Sequence, residues 1–406
     1  MLSKEKEREI VRRLAEQAAQ IAGEPRMKAI LKRWRDVNAF RKPDRAPVWC
    51  RPVGCWKEII PEDSLLCSDP WLRKMEYSFR QIIHKRSIDD DTPVEEYFTV
   101  AAVFRKEPEN TWGVDIGHHQ TDVKGGAWGY DPPLKSAEDF DRLRIPTFTY
   151  DERATSRQME QAGKLLEGIM PVQLSVAPPF GATLGQHAAD LRGLEQMMLD
   201  MAAEPELMHR LMSFLRDAVL SAMDQIEATG LLTPNNIGAM TCSDPLGAPD
   251  DRGMFHYRNL WCMANSQEFD QVSPAMWEEF CLNYQKPILE RFGLVAYGCC
   301  ENLTHKIDGV LTIPNLRILT CSAWTSLDTV IEKAGRKYCI MWRQKASDVV
   351  FPHDAAKIRQ DLFDGARRLQ GCYYQIVLRE LQTLAGHPDR LHVWTRFAKE
   401  AAEKYS

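Results

Sequence analysis

LRILTCSAWTSLDTVIEKAGRKYCIMWR (316–343) contains two apolar runs separated by a segment with helical spacing. The runs at 316–321 and 337–343 predict buried strands, and 326–334 predicts the helix between them. The alternation extends in both directions. The predicted strands are 258–268, 294–298, 316–321, 337–343 and 373–380, and the helices that follow them are 273–292, 304–311, 326–334, 353–369 and 387–404. Such alternation implies a parallel sheet with right-handed crossovers.

The chain upstream of this region is less regular. Residues 3–36 predict helix with an interruption at Gly23, and 170–179 predicts a strand that precedes two helices in 191–230. Ser273, followed by proline, predicts a helix N-cap. We expect a helical N-terminal arm at 1–45, serving as a cap or a homodimer contact, and a barrel domain at 46–406 with an irregular segment at about 46–165.

Strand and helix alternation alone fits an open doubly wound sheet as well as a closed barrel. The glycine patterns separate the two, because no GxGxxG opens a helix after a strand and no GxxxxGK[ST] occurs. The phosphate cradles of dinucleotide-binding and P-loop folds are therefore missing. A barrel of about 250 residues after an N-terminal extension fits the length. We expect an α/β fold, specifically a (β/α)8 TIM barrel.

Composition narrows the partners and the compartment. The chain is 44% hydrophobic and 27% charged with a formal net charge of −5, so no overall field favours nucleic acid or an anionic membrane. The first residues alternate in charge where a signal peptide needs an apolar run, and no apolar stretch is long enough to span a bilayer. The eleven cysteines are scattered and odd in number, which favours reduced thiols. We expect a cytoplasmic protein that binds small molecules or proteins.

Two predicted strand ends carry chemistry-bearing residues. In a barrel such ends form the active-site face. Glu268 and Asp270 follow the first of these strands, where helix capping is the alternative explanation. Cys299, Cys300 and Glu301 follow the next one. A thiolate and a carboxylate with one open coordination position suit a catalytic zinc ion, whereas two buried thiols are the alternative.

Other residues are weaker candidates. Cys321 ends its predicted strand, and Cys339 lies near the start of the following one, so position favours Cys321 as a further sulfur ligand. The adjacent His118 and His119 cannot both face one metal from a strand, so we predict that they hydrogen-bond the substrate. Trp324, near a strand end, predicts an aromatic wall for a substrate pocket.

The segments YGCCENLTHKI (297–307) and PNLRILTCSAWTSLDTVIEKAGRKYCIMWRQK (314–345) resemble the C-terminal half of uroporphyrinogen-decarboxylase-like methyltransferases. Weaker similarity in 170–212 and 265–280 extends the resemblance to about 300 residues. True uroporphyrinogen decarboxylases carry an RQAGR-type segment that holds substrate carboxylates, and CRPVGCWKEII (50–60) does not match it. The resemblance therefore implies the corrinoid-dependent methyltransferase branch of that superfamily, with its type of barrel.

The resemblance also implies a metal site. Several of these methyltransferases bind zinc through His-x-Cys, but here Tyr297 stands at the histidine position. Relatives that demethylate aryl methyl ethers carry another pattern, in which an acid is followed by two distant cysteines. Glu268 or Asp270 with Cys299 and Cys339 comes close to it, so this spacing favours Cys339 where strand position favours Cys321.

The implied function is zinc-dependent transfer of a methyl group from a small methylated substrate, expected to be an aryl methyl ether, to a separate corrinoid protein. Zinc, or a proton from Glu268 or Glu301, would assist departure of the ether oxygen. The alternatives are a decarboxylase or lyase on the same barrel, and a non-catalytic protein that binds a corrinoid partner.

Overall fold

A computed structural model of the chain describes residues 2–120, 128–351 and 354–406, with the backbone alone at 118–120, 128 and 130. The α-helices are α1 Lys4–Ala22, α2 Pro25–Asn38, α3 Trp56–Ile59, α4 Pro70–Ile88, α5 Glu152–Leu166, α6 Leu184–Arg192, α7 Leu194–Ala203, α8 Pro205–Glu227, α9 Pro274–Trp277, α10 Asn283–Leu289, α11 Ile307–Val310, α12 Leu327–Ala334, α13 Ala346–Val350, α14 Ala355–Arg368 and α15 Arg390–Tyr405.

The strands alternate with these helices in the C-terminal half. They are β1 Val48–Cys50, β2 Phe98–Ala101, β3 Phe104–Glu107, β4 Gly117–Gln120, β5 Trp128–Asp131, β6 Thr147–Tyr150, β7 Val172–Ser175, β8 Trp261–Ala264, β9 Leu294–Tyr297, β10 Leu316–Cys321, β11 Cys339–Arg343 and β12 Tyr373–Leu378. The predicted helix N-cap is confirmed, because the Ser273 hydroxyl accepts a hydrogen bond from the Met276 amide at the start of α9. The π-helix Glu278–Leu282 joins α9 to α10.

Six strands form one curled parallel sheet in the order β1-β12-β11-β10-β9-β8. The predicted α/β class with a parallel sheet is therefore confirmed. The first strand pairs with the last, with Val48 opposite Ile376, which an open doubly wound sheet would not require. Strands β2 and β7 form a separate parallel pair. Within the described residues the strand pairings make a half-barrel and do not close a ring.

Irregular segments occupy the two gaps between the six-stranded sheet and the β2–β7 pair. The Asp91 amide donates to the Val48 carbonyl beside β1. On the other side, the Thr233 hydroxyl accepts from the amide of Val176, which follows β7, and Asn235 exchanges two hydrogen bonds with the backbone of Trp261 in β8. Backbone groups that would face a neighbouring strand are thus satisfied by loops and side chains.

Both faces of the six-stranded sheet are buried, which explains why its strands read as continuous apolar runs. One face carries Ile318, Cys339, Met341 and Val377, which pack together with Val37 of α2. Leu319, Ile340 and Ile376 point to the opposite face and join the large core made with the helices. Alternate residues along a strand therefore separate the concave interior from the helical layer.

The N-terminal helices pack closely onto the rest of the chain. Val11 and Ala15 of α1 share a buried cluster with Leu72 and Phe79 of α4. Asn38, at the end of α2, donates hydrogen bonds to the carbonyls of Met240 and Cys242 and accepts one from Gln375 of β12. The predicted boundary of an arm at residue 45 stays a prediction. None of the helices in the described ranges is long and apolar enough to cross a membrane.

Candidate active site at the strand ends

The chain turns sharply where β9 ends. Gly298 adopts φ +106°, and a Cβ there would lie 2.9 Å from Thr320 Cβ and 2.9 Å from Leu303 Cδ1. Glycine is required because a side chain would meet both a disfavoured backbone conformation and two packed neighbours. The turn brings Cys299, Cys300 and Glu301 to the carboxyl edge of the sheet, the face on which parallel barrels build their active sites.

The Cys299 sulfur lies among groups that favour its thiolate form. Its Sγ is 3.6 Å from Cys300 Sγ, 3.9 Å from Arg343 Nη1 and 3.8 Å from Arg379 Nη1. The hydrogen bond from Cys300 and the two guanidinium charges lower the pKa of the Cys299 thiol well below its ordinary value, against the opposing effect of burial. Cys299 is therefore the more acidic thiol of the pair.

Cys300 has the opposite environment. Its thiol donates to Glu380 Oε1 at 3.2 Å, and its Sγ also lies 3.6 Å from Cys299 Sγ. The Cys299 negative charge, burial and Glu380 together raise the pKa of Cys300. Because the two environments differ in this way, Cys299 is the sulfur of the pair that ionises more readily.

Three arginines reach this edge of the sheet from different strands. Arg343 is the last residue of β11, Arg379 follows β12, and Arg51 follows β1. Arg343 is 1% exposed, and its Nη1 donates to the Cys299 carbonyl at 2.7 Å and to Glu380 Oε1 at 2.8 Å. Arg51 reaches solvent at the rim, but the protein around it removes part of its hydration, and this desolvation together with the positive charges of Arg379 and Arg343 lowers its pKa. We call Arg51, Cys299, Cys300, Arg343, Arg379 and Glu380 the arginine–thiol cluster.

Glu301 braces two strand ends. Its Oε1 accepts from the Ser266 amide and its Oε2 from the Cys299 amide, each at 2.9 Å. The side chain is 3% exposed, and burial raises the pKa of its carboxyl although the two amides favour the ionised form. Since both oxygens are occupied by backbone donors, Glu301 holds the loops after β8 and β9 together.

Glu268 is the carboxyl group best suited to donate a proton. It lies on the 3-10 turn Gln267–Phe269 after β8, and its buried Oε2 has no hydrogen-bond partner. Burial raises its pKa, with further increases from the negative charges of Glu301, Asp190 and Cys299. A carboxyl with a raised pKa stays protonated to higher pH, as a general acid requires.

Gly185 of α6 leaves room for this carboxyl, because a Cβ there would lie 2.5 Å from Glu268 Oε2 and 3.2 Å from the Phe269 ring. We expect Gly185→Ala to displace the carboxyl and to slow turnover by up to about 100-fold, since small misplacements of a catalytic group have effects of that size. Gly163→Ala in α5 is the matched control, because no atom lies within 4 Å of its added Cβ. Turnover assays that show equal rates for the two variants would remove Glu268 from the reaction.

The remaining sulfur and acid candidates lie away from this arrangement. The Asp270 carboxylate accepts a hydrogen bond from the Asn302 amide, so it joins the loop after β8 to the loop after β9. Cys321 packs in the core on the helical face, and burial raises its pKa to about 12. Cys339 begins β11 and is fully buried beside Ile318, about 13 Å along the strand from the level of Arg343 and Cys299. The structure therefore does not bring Cys339 to Cys299.

Two substrate-binding predictions meet different outcomes. The backbone of His118 and His119 forms part of β4, and their side chains lie outside the described residues. Trp324 follows β10 and is 59% exposed, with Lys345 Nζ 4.7 Å from its ring centroid. The role of Trp324 as a wall of a substrate pocket stays a prediction.

The zinc ligands predicted from the sequence, Glu268, Cys299 and Cys339, do not occur together as one group in the described part of the chain. Within the described ranges no group of three or more His, Cys, Asp and Glu side chains is placed to hold a metal ion. Cys339 lies away from the strand ends, each Glu301 oxygen accepts from a backbone amide, and the Cys299 sulfur contacts two guanidiniums whose charge opposes a divalent cation. The donor set present at the strand ends therefore does not fit zinc.

The sequence reasoning did not identify Arg343, Arg379 and Glu380 as site residues. The signal was available, because each stands at the end of an apolar run that predicts a strand, in CIMWR and in YYQIVLRE. Residues at those positions face the active site in a barrel. Arg51 was noticed only as a fragment of a segment that does not match.

Comparisons with known proteins give a similarity in fold and no similarity in sequence. No family model matches this chain, and no curated protein matches it in sequence. Among solved structures it is similar to a methyltransferase from Methanosarcina mazei, with a TM-score of 0.51 and 11% identity, covering 91% of this chain and 98% of that chain. At this identity the similarity shows that the two chains share a fold.

Proposed function

We propose that this protein is a methyltransferase that moves a methyl group from a small methylated substrate, an aryl methyl ether, to a corrinoid protein. The observation that carries the proposal is the Glu268 carboxyl after β8, whose buried Oε2 has no hydrogen-bond partner and whose pKa burial raises. The shared fold with a methyltransferase and the resemblance of 297–345 support the same reaction class.

The complete architecture that goes with this proposal is a (β/α)8 barrel of the uroporphyrinogen decarboxylase type. Taken in chain order, β1, β2 and β7–β12 supply eight strands. Pairing of β1 with β12 supports a ring, because the first and last strands of a barrel are neighbours. In this ring β2 and β7 would fill the space between β1 and β8.

The main chemical contribution that this reaction needs from the protein is a proton. The oxygen of an aryl methyl ether leaves poorly as a phenoxide, so the protonated Glu268 carboxyl donates its proton to that oxygen as the bond to the methyl carbon breaks. The corrinoid protein, when bound, supplies the strong nucleophile that accepts the methyl group. The products are the free phenol, the methylated acceptor and the Glu268 carboxylate, which solvent protonates again. Glu301 positions the loops that carry Glu268 and Cys299.

No step is assigned to zinc, because the residues at the strand ends do not fit it. The zinc requirement implied by the resemblance stays a prediction, which elemental analysis of protein purified without chelator will test. The corrinoid partner, a homodimer and a cytoplasmic location are likewise proposals that rest on the sequence.

The deciding experiment mixes the protein with a reduced corrinoid protein and a panel of methoxyarenes, methylamines and methylated thiols. We expect the absorbance of the reduced corrinoid to decay with the methoxyarenes, together with stoichiometric release of the phenol. Transfer from amines or thiols alone would keep the reaction class and overturn the ether. If no compound of the panel changed the corrinoid absorbance, and carbon dioxide were released from a carboxylic acid instead, the result would favour a decarboxylase.

A further inference from the structure

Cys299 and Cys300 form a thiol pair that the proposed reaction does not use. Their sulfur atoms lie 3.6 Å apart, and both side chains are half-buried. Adjacent residues of an extended chain direct their side chains to opposite faces, and the turn after Gly298 removes that alternation. The pair is therefore accessible to a small solute, and its two sulfurs are placed to react with each other.

A bond between these sulfurs is within reach but strained. The sulfurs of a disulfide are about 2.05 Å apart, so the pair must close by roughly 1.5 Å. The α-carbons of adjacent residues are about 3.8 Å apart, whereas disulfides usually join α-carbons separated by about 4.4–6.8 Å. The Cys299 carbonyl, which belongs to the peptide group between the two cysteines, is also held by Arg343 Nη1 at 2.7 Å. Because strained disulfides are easily reduced, this bond would open again under reducing conditions.

The neighbours of the pair suit its two sulfurs to different steps of an oxidation. Cys299 Sγ lies 3.9 Å from Arg343 Nη1 and 3.8 Å from Arg379 Nη1, and guanidinium charges favour the ionised, nucleophilic form of a thiol. Cys300 Sγ donates to Glu380 Oε1 at 3.2 Å, so a carboxylate is in place to accept its proton. Cys299 is therefore placed to attack first and Cys300 to attack second.

We propose that Cys299 and Cys300 are a modification site for hydroperoxides, at which oxidation joins the two sulfurs in a reversible disulfide. First, Cys299 Sγ attacks the terminal peroxide oxygen, the S–O bond forms as the O–O bond breaks, and the alcohol leaves with the proton of that thiol. Cys300 then gives its proton to Glu380 and attacks Cys299 Sγ, so that the S–S bond forms and the S–O bond breaks. The departing hydroxide takes this proton and leaves as water.

The oxidation changes the arginine–thiol cluster. A disulfide has no thiol proton, so Cys300 no longer donates to Glu380, and Cys299 no longer presents an ionisable sulfur to the guanidiniums. Neither step uses the methyl donor or the corrinoid protein. The modification and the proposed function can therefore fail independently of each other.

The test treats the reduced protein with hydrogen peroxide, blocks the remaining thiols with iodoacetamide and measures tryptic peptides by mass spectrometry. Peptide 292–306 contains Cys299 and Cys300 and no other cysteine, and peptide 369–379 contains only Cys372, which is also half-buried. We expect peptide 292–306 to lose two hydrogen atoms and to take up no iodoacetamide, and dithiothreitol to restore both thiols. Its thiols should disappear at least about tenfold faster than that of Cys372.

Two variants separate the steps. In Cys300→Ser the sulfenic acid on Cys299 has no second sulfur to react with, so dimedone should label peptide 292–306, whereas the unmodified protein should take up little label. Glu380→Gln lacks the proton acceptor, so its disulfide should form more slowly by about tenfold or more. Cys372→Ser is the matched control and should form the disulfide as fast as the unmodified protein does.

Three outcomes overturn the proposal. Peptide 292–306 could gain oxygen atoms while Cys300 stays open to alkylation, which would make Cys299 an isolated oxidation site. Equal dimedone labelling of the unmodified protein and Cys300→Ser would remove Cys300 from the reaction. Free thiols at both positions under conditions that oxidise Cys372 would remove the site altogether. Methyl transfer by a protein with any of these results would leave the proposed function standing without the modification.

Discussion

Glu268→Gln is expected to lower the rate of methyl transfer by about 100-fold or more, which is the usual contribution of a general acid. Glutamine keeps the size of the side chain but has no acidic proton to give to the ether oxygen. The pH dependence has a definite sign. Burial raises the pKa of Glu268, and only its protonated form donates, so the rate of the unmodified protein should fall as pH rises through that pKa. The variant should lose this fall.

Glu332→Gln provides the control, because Glu332 is exposed on α12 and takes no part in the site. Its rate and its pH profile should match those of the unmodified protein. Circular dichroism of each variant would verify that folding is intact. A Glu268→Gln enzyme with an undiminished rate, or with the same loss of activity at high pH, would assign the proton to another group.

The elements could be predicted from the sequence because their signals are local. LRILTC at 316–321 became β10 with the same bounds, and Ser273 caps α9 as its hydroxyl and the following proline predict. These outcomes depend on apolar runs and on a single side chain bonding to a nearby amide. The region between β7 and β8 is different, since Thr233 bonds to Val176 and Asn235 to Trp261, residues that are distant in sequence from each other.

Strand ends in the sequence point to Glu268 and Cys299, whereas spacing along the chain does not show how deep in the sheet Cys339 lies. Cys339 and Arg343 belong to the same strand, yet only Arg343 reaches the edge that carries Cys299. Spacing along the sequence does not say at which end of a strand a residue lies. The thiols suggested a zinc site, but the charges that surround Cys299 come from β11 and β12, and this neighbourhood exists only in the fold.

Asp91→Ala is expected to reduce the free energy of unfolding by about 3–5 kcal/mol, the range found when one partner of a buried ion pair is removed. Asp91 is 1% exposed, and its carboxylate joins Arg33 of α2 at 2.7 Å to Arg45 at 2.7 Å. It also accepts from the Val48 amide of β1 at 2.8 Å. Removing it leaves two buried guanidiniums facing each other and one amide without its acceptor, so both the arm and the first strand lose their anchor.

Urea denaturation followed by tryptophan fluorescence would measure the change. Arg33 keeps a second partner in Asp44, so the loss should fall toward the lower end of that range. Asp364→Ala is the control, since Asp364 and Arg367 are half exposed and such surface pairs contribute about 1 kcal/mol or less. If both variants unfolded at the same urea concentration, Asp91 would not anchor the helices to the sheet. A larger loss for Asp91 would indicate that α2 and the six-stranded sheet unfold together, because the same carboxylate bonds to Arg33 of α2 and to the Val48 amide of β1.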